Sequence, residues 1–301
     1  TFLTITLALG TGCASIDFDY PRSESFAYSD TEDTSLGRQL ANQVAGQPAD
    51  RSGFYLFADG IDALAIRLLL AQRAERSIDL QYYLIKDGIT GRALIGTLLQ
   101  AADRGVRVRL LVDDMFTSGN DTRIAALDSH PNFEIRIFNP FHRGFAGRMR
   151  SGVTGFSRIN RRMHNKSFTV DNQITVIGGR NIADEYFGAR ADAKFSDLDV
   201  IGVGPVVQDV STMFDTFWNH ETAIPVPAFI DIPDDASAEL ERVRRELAAF
   251  RDEVGASPYA DALRRQVLKF DAPTSGALEW APYELVYDSP DKGIKRRADA
   301  A

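Results

Sequence analysis

The chain has 301 residues and a single cysteine, Cys13, so it can build neither an internal disulfide nor a cysteine-based metal site. Its four histidines, His130, His142, His164 and His220, show no metal-ligand spacing, and no cofactor motif is present. Neither a metal nor a cofactor is therefore expected. Positive charge is in the minority: 34 Lys and Arg against 42 Asp and Glu give a net charge of −8. That balance argues against a general nucleic-acid binder, although a local basic patch could still act. The uncharged stretch Thr1 to Leu9 is too short to span a bilayer by itself. What is present is an ordinary globular composition, 44% hydrophobic, at a length for one large or two small domains.

The start of the chain carries an address. Thr1 to Leu9 is followed by Gly10-Thr11-Gly12-Cys13-Ala14-Ser15, which reads as the end of a secretory signal with a lipoprotein cleavage site before Cys13. There is no initiator Met and no basic leader, and Gly10 stands where an aliphatic residue is usual. Residues 1–12 are thus read as a truncated signal remnant, with a short transmembrane anchor or a chance apolar start as the alternative. Cys13 becomes a candidate lipid anchor, which would place the protein in a bacterial cell envelope on the periplasmic side of a membrane. Residues 13–50 are polar and read as a tether, with a short helix over 36–44.

Strand and helix signals then alternate. Apolar residues at helical spacing predict helices over 60–74, 91–103, 120–128 and 206–219. Strands are expected at 54–57, 78–85, 106–113, 133–138 and 199–203. The fold class is therefore α/β, a layered domain over 51–232. Residues 233–273 form a helical C-terminal extension. Its first helix, 238–254, puts Leu240, Val243, Leu247, Phe250 and Val254 on one face and a solvated Glu/Arg run on the other. Ser257-Pro258 starts another helix. A last strand is expected over 278–287.

The chemistry is concentrated between residues 161 and 181. The spacing is His164-x-Lys166, four residues, Asp171, six residues, then Gly178-Gly179-x-Asn181. Residues 163–170 read as a strand, 174–177 as its partner, and Asp171-Asn172 as the turn between them. Residues two apart on a strand share a face, so His164 and Lys166 point the same way. A neutral imidazole can attack phosphorus while an ammonium stabilises the phosphoryl oxygens. The glycine pair allows backbone N–H groups to approach a phosphate, and Asn181 can donate to it from the start of a helix. Taken singly, such a histidine is usually structural and such a glycine pair usually a bulge or turn. Six specified positions together point to phosphodiester chemistry.

These residues resemble the signature of the phospholipase D superfamily, His-x-Lys-x4-Asp-x6-Gly-(Gly/Ser)-x-Asn. The continuation Ile182-Ala183-Asp184-Glu185-Tyr186-Phe187, then Phe195-Ser196-Asp197-Leu198-Asp199-Val200, Gly204-Pro205-Val206, Phe214, Phe217 and Trp218, is similar to bacterial cardiolipin synthases. The resemblance covers roughly residues 54–301. It implies a phospholipase D-type layered α/β domain, its mixed sheet flanked by helices. It further implies a phosphohistidine formed on His164, a phosphate held by Lys166 and Asn181 with Gly178 and Gly179, a turn fixed by Asp171, and Asp197 as the carboxylate that orients the histidine. A carboxylate on imidazole N–H fixes the tautomer and stabilises the imidazolium. In that family a second half carries a second His-Lys motif. None is present here, and residues 274–301 read as the start of that half.

Between residues 141 and 162 lie Arg143, Arg148, Arg150, Arg158, Arg161 and Arg162, with interleaved apolar side chains and no carboxylate. Arg148, Arg150 and Arg158 are candidate substrate-binding residues. The stretch suits an anionic lipid headgroup at a membrane interface. It would equally suit a nucleic-acid backbone, or it is a solvated loop. The expected partners are an anionic phospholipid substrate, a membrane and a second phospholipase D-like half of the same chain. A homodimeric single-motif nuclease and an inactive membrane-surface module are the alternatives.

Overall fold

The computed structural model describes residues 16–114, 119–141, 162–190, 195–271 and 278–293. Cys13, His142 and the arginines from Arg143 to Arg161, among them Arg148, Arg150 and Arg158, lie outside the described residues.

One mixed sheet organises the chain. In chain order its elements are α1 (Ser35–Ala45), β1 (Arg51–Phe57), α2 (Gly60–Arg73), β2 (Ser77–Tyr82), α3 (Ile89–Asp103), β3 (Arg107–Asp113), α4 (Asp121–Asp128), β4 (Phe133–Phe138), β5 (Ser167–Val170) and β6 (Ile174–Gly178). They are followed by β7 (Asp199–Val203), α5 (Pro205–Trp218), β8 (Ala223–Pro225), α6 (Ala236–Val254), α7 (Pro258–Asp271) and β9 (Glu279–Pro282). The strand order is β8-β4-β3-β2-β5-β6-β7-β1-β9. β2, β3 and β4 are parallel, joined through α3 and α4, and the remaining pairs are antiparallel.

The alternation of side chains along the strands sorts two cores. Ile78, Leu80, Val108, Leu110, Phe168 and Val170 face α2 and α3. Leu111, Phe138 and Met163 face Val207, Val210, Phe214 and Trp218 of α5. Local signals set the helix ends. Asp59 accepts hydrogen bonds from the N–H groups of Ile61 and Asp62 to start α2, and Asp235 caps α6 through Ala238. Gly204, at φ +88°, makes the left-handed turn that feeds Pro205 into α5. The outer layer is α6 and α7, which pack on α2, α3 and α4. The layered α/β architecture with a helical extension is therefore present.

Three expectations are corrected. Residues 16–50 are no free tether. Arg109 on β3 and Arg136 on β4 are buried, and carbonyls of the incoming segment satisfy them. Ser25 O accepts from Arg109 Nη1 at 2.8 Å and Ser23 O from Arg136 Nη2 at 2.7 Å. Trp218 Nε1 donates to Ser25 Oγ at 2.9 Å, and Ala27 N to Asp215. The expected 163–170 strand pairs only from Ser167, so His164 and Lys166 lie on its lead-in. The 278–287 strand is short: β9 pairs with β1 over Glu279–Pro282 and so extends this sheet. Residues 283–291 then run beside α5, where Tyr283 Oη donates to Asp209 and Asp291 meets His220 at 3.2 Å.

Candidate active site

The two ends of the β5–β6 hairpin lie at opposite ends of the central strands. His164 and Lys166 enter β5 at the end where β2, β3 and β6 stop and β7 begins. Asp113, the last residue of β3, fixes that entry: it accepts from Met163 N at 3.2 Å and from Arg162 Nη1 at 3.1 Å. The Arg162 guanidinium also stacks 4.0 Å from the Phe141 ring centroid. Asn165 turns the other way, toward Met213 of α5.

His164 is exposed and its ring lies 4.4 Å, centroid to centroid, from that of Tyr83. Lys166 Nζ donates to the His164 carbonyl and lies 5.8 Å from the Tyr83 ring centroid. Desolvation, and then the charge of Lys166, push the His164 pKa below its ordinary value, partly opposed by Asp288. A lowered pKa favours the neutral, nucleophilic imidazole. Lys166 is itself lowered by burial, against the attraction of Asp197. The Asp197 charge thus favours the charged lysine, and the Asp288 charge favours the charged imidazole. Sequence spacing gives no sign of Asp288, because it arrives from beside α5, more than a hundred residues downstream.

The glycine pair has a stated steric cause. A Cβ on Gly178 would lie 2.0 Å from Asp199 Oδ1, and one on Gly179 would lie 2.2 Å from Asp197 Oδ1. The pair makes room for two carboxylates. Gly179 N is also engaged, donating to Leu198 O at 3.3 Å, so it is not an open phosphate donor. The helix expected near Asn181 is only a three-residue 3-10 turn, Asp184–Tyr186. Asn181 is nearly buried; its Nδ2 contacts Tyr186 Oη at 3.3 Å and its Oδ1 has no partner. Exchanging the two amide positions lets Tyr186 Oη donate to Oδ1 and turns the N–H donors toward the orphaned position.

Arg180, between Gly179 and Asn181, is a participant that sequence reasoning missed. It is fully buried and donates to Ala58 O at 2.6 Å, to Phe57 O, to Tyr186 O and to Asp197 O. With Arg67 it brackets the buried carboxylate of Asp199, at 3.4 and 2.9 Å. One guanidinium thus fixes the end of β1, the Asn181 turn and the backbone of Asp197. Its signal would have been an arginine in an apolar strand-end context beside a glycine pair.

Asp171 stands at the far end of β5, seven residues from His164, which is about 23 Å of extended chain. Its φ is +49°, it is buried, and its carboxylate accepts from the backbone N–H groups of Glu75, Arg76 and Ser77 at 2.7–3.2 Å. Among the described residues no group of His, Cys, Asp and Glu could hold a metal.

The family model for "Cardiolipin synthase, PLD-like domain" matches residues 68–218, the stretch that holds the hairpin, Arg180 and Asp197. The chain belongs to the phospholipase D-like family. It is 42% identical over 263 residues to cardiolipin synthase C of Escherichia coli (strain K12), covering 84% of this chain and 52% of that protein. An uncharacterized protein of Helicobacter pylori is 37% identical over 216 residues, 71% of this chain and 43% of that one. The chain thus spans about half the length of the curated relatives it matches. Among solved structures, NucT from Helicobacter pylori aligns with a TM-score of 0.44 at 17% identity, covering 58% of this chain and 99% of that one.

Proposed function

We propose that this phospholipase D-like chain transfers or hydrolyses the phosphodiester of an anionic glycerophospholipid, with His164 as the nucleophile. The observation that carries the reading is an exposed imidazole with a lowered pKa, next to Lys166 on the lead-in to the central strand β5. An imidazole nitrogen forms a bond to phosphorus as the bond to the leaving alkoxide breaks. The alkoxide departs with a proton, and the phosphohistidine is then resolved by a lipid alcohol or by water. Lys166 and the Asn181 amide offset charge on the non-bridging oxygens.

Protonating the leaving alkoxide asks for an acid on the opposite side of the phosphorus. A second phospholipase D-like half of the same protein is the proposed source, so residues 1–301 alone should turn over slowly. A lipid anchor at Cys13, a periplasmic position, and headgroup contacts from Arg148, Arg150 and Arg158 belong to the same proposal. No helix among the described residues is long and apolar enough to cross a membrane.

The test uses the full-length protein and vesicles containing phosphatidylglycerol. His164→Ala should abolish lipid turnover and leave vesicle sedimentation unchanged. Replacing Arg148, Arg150 and Arg158 with Gln should weaken sedimentation by about 1 kcal/mol per charge. Cleavage of DNA with unchanged lipid composition would overturn the lipid reading in favour of a nuclease.

A further inference from the structure

Two tyrosines follow each other at the end of β2, and they are placed differently. Tyr82 is fully buried on the α2 side, where its hydroxyl accepts from Arg67 Nε at 2.9 Å. Alternation sends Tyr83 to the other side of the sheet. β2 and β5 pair only as far as Gln81 and Ser167, so Tyr83 stands beside the unpaired lead-in that carries His164 and Lys166. It is half-buried. Its ring centroid lies 4.4 Å from that of His164, at an interplanar angle of 34°, and 5.8 Å from Lys166 Nζ. The charges of Asp113 and Arg162, the ion pair that fixes the lead-in, act on its hydroxyl.

An exposed imidazole needs something to set its orientation. Among the described residues no hydrogen bond reaches the His164 ring, and its ring contact is with Tyr83. Asp197, the carboxylate expected to orient it, accepts from Leu198 N at 2.8 Å instead. We infer that Tyr83 is a positioning residue of the site, an aromatic ring that fixes the rotation of the His164 imidazole and steadies the Lys166 ammonium beside it. A contact through the ring face leaves the imidazole nitrogens free at the ring's edge, where attack on phosphorus takes place. As a nitrogen gives its electron pair to phosphorus and the alkoxide leaves, the imidazole gains positive charge. An aromatic face attracts that charged ring more strongly than the neutral one. The role of Tyr83 rests on His164 as the nucleophile; the ring contact itself does not.

The experiment uses the full-length protein, histidine ring protons observed by NMR in selectively labelled samples, and initial rates on vesicles containing phosphatidylglycerol. His164→Ala identifies the His164 signals by their loss. Those signals should carry a ring-current shift in the parent and in Tyr83→Phe. In Tyr83→Leu and Tyr83→Met they should move to where an unstacked histidine resonates. In both non-aromatic variants kcat per folded molecule should fall about tenfold to a hundredfold with KM little changed, because orientation is lost and binding is not. Tyr83→Phe, which keeps the ring, should recover most of that loss. His164 signals that stay in place in both non-aromatic variants overturn the inference. Signals that move with no loss of kcat do the same, as does a loss carried by KM. A Tyr83→Phe protein as slow as Tyr83→Leu would put the hydroxyl, not the ring, in the chemistry and overturn it too. Turnover retained in His164→Ala would remove the nucleophile and the role of Tyr83 with it; the NMR comparison still reports the ring contact and tells that failure from the others.

Discussion

The two ends of the β5–β6 hairpin are built to opposite rules. At the Asp171 end the side chains of the turn itself are answered. Three backbone N–H groups meet the carboxylate, while Asn172 donates to Tyr28 O and accepts from Ser211. At the His164 end, the imidazole is exposed, the lysine is held below its ordinary pKa, and one amide position of Asn181 is unanswered. The same short hairpin is closed by stability at one end and left reactive at the other. An unanswered amide and lowered pKa values at one end of the central strands are what a candidate site presents.

The comparison is broken most severely by exchanging the two effects. His164→Ala should lower phospholipid turnover about 1,000-fold or more while leaving the thermal midpoint unchanged, because the side chain is exposed. Retained turnover in a product assay would remove His164 as the nucleophile. Asp171→Ala should do the reverse. Three N–H donors lose their acceptor, a cost of about 3 kcal/mol, read as a midpoint lowered by several degrees with near-normal turnover per folded molecule. A loss of turnover at unchanged stability would put Asp171 into the chemistry.

A third variant tests the steric link between the glycine pair and the site. Gly179→Ala drives a methyl into the Asp197 carboxylate and should separate it from Lys166. Turnover should fall about tenfold to a hundredfold, with a smaller change in stability, in a comparison of kinetics with thermal melts. The smallest effect concerns pH. The reactive form of His164 is neutral, so activity should be lost as pH falls through a midpoint below 6.5, the ordinary imidazole value. Asp288 favours the charged ring, so Asp288→Asn should move that acid limb lower still. An upward shift in the rate profile would show that Asp288 acts on His164 by something other than its charge.

Much of the layer order was legible because hydrophobic spacing is a local property. Apolar residues at helical intervals placed α2, α3 and α5 within a few residues, and the β-branched run before Asp113 gave β3. The motif residues were legible for the same reason: they fall within 18 positions of one another. What was not legible depends on distant partners. Residues 16–34 look like a polar tether until the buried Arg109 and Arg136 are seen to need their carbonyls. Asp288 and Arg180 are ordinary charged residues in the sequence. Only the fold brings the first toward His164 and buries the second beneath Asp197. The glycine pair was read as an opening for phosphate, yet its immediate cause is the carboxylates of β7 and the residues before it.

The single guanidinium of Arg180 holds both Tyr186 O and Asp197 O. The chain between those two carbonyls therefore begins and ends at one clamp. Arg180 thereby ties the position of the Asp197 backbone to that of Tyr186. The residues under the clamp are locked together by one shared buried partner, so a change at Arg180 is felt at once at the end of β1, at Tyr186 and at Asp197.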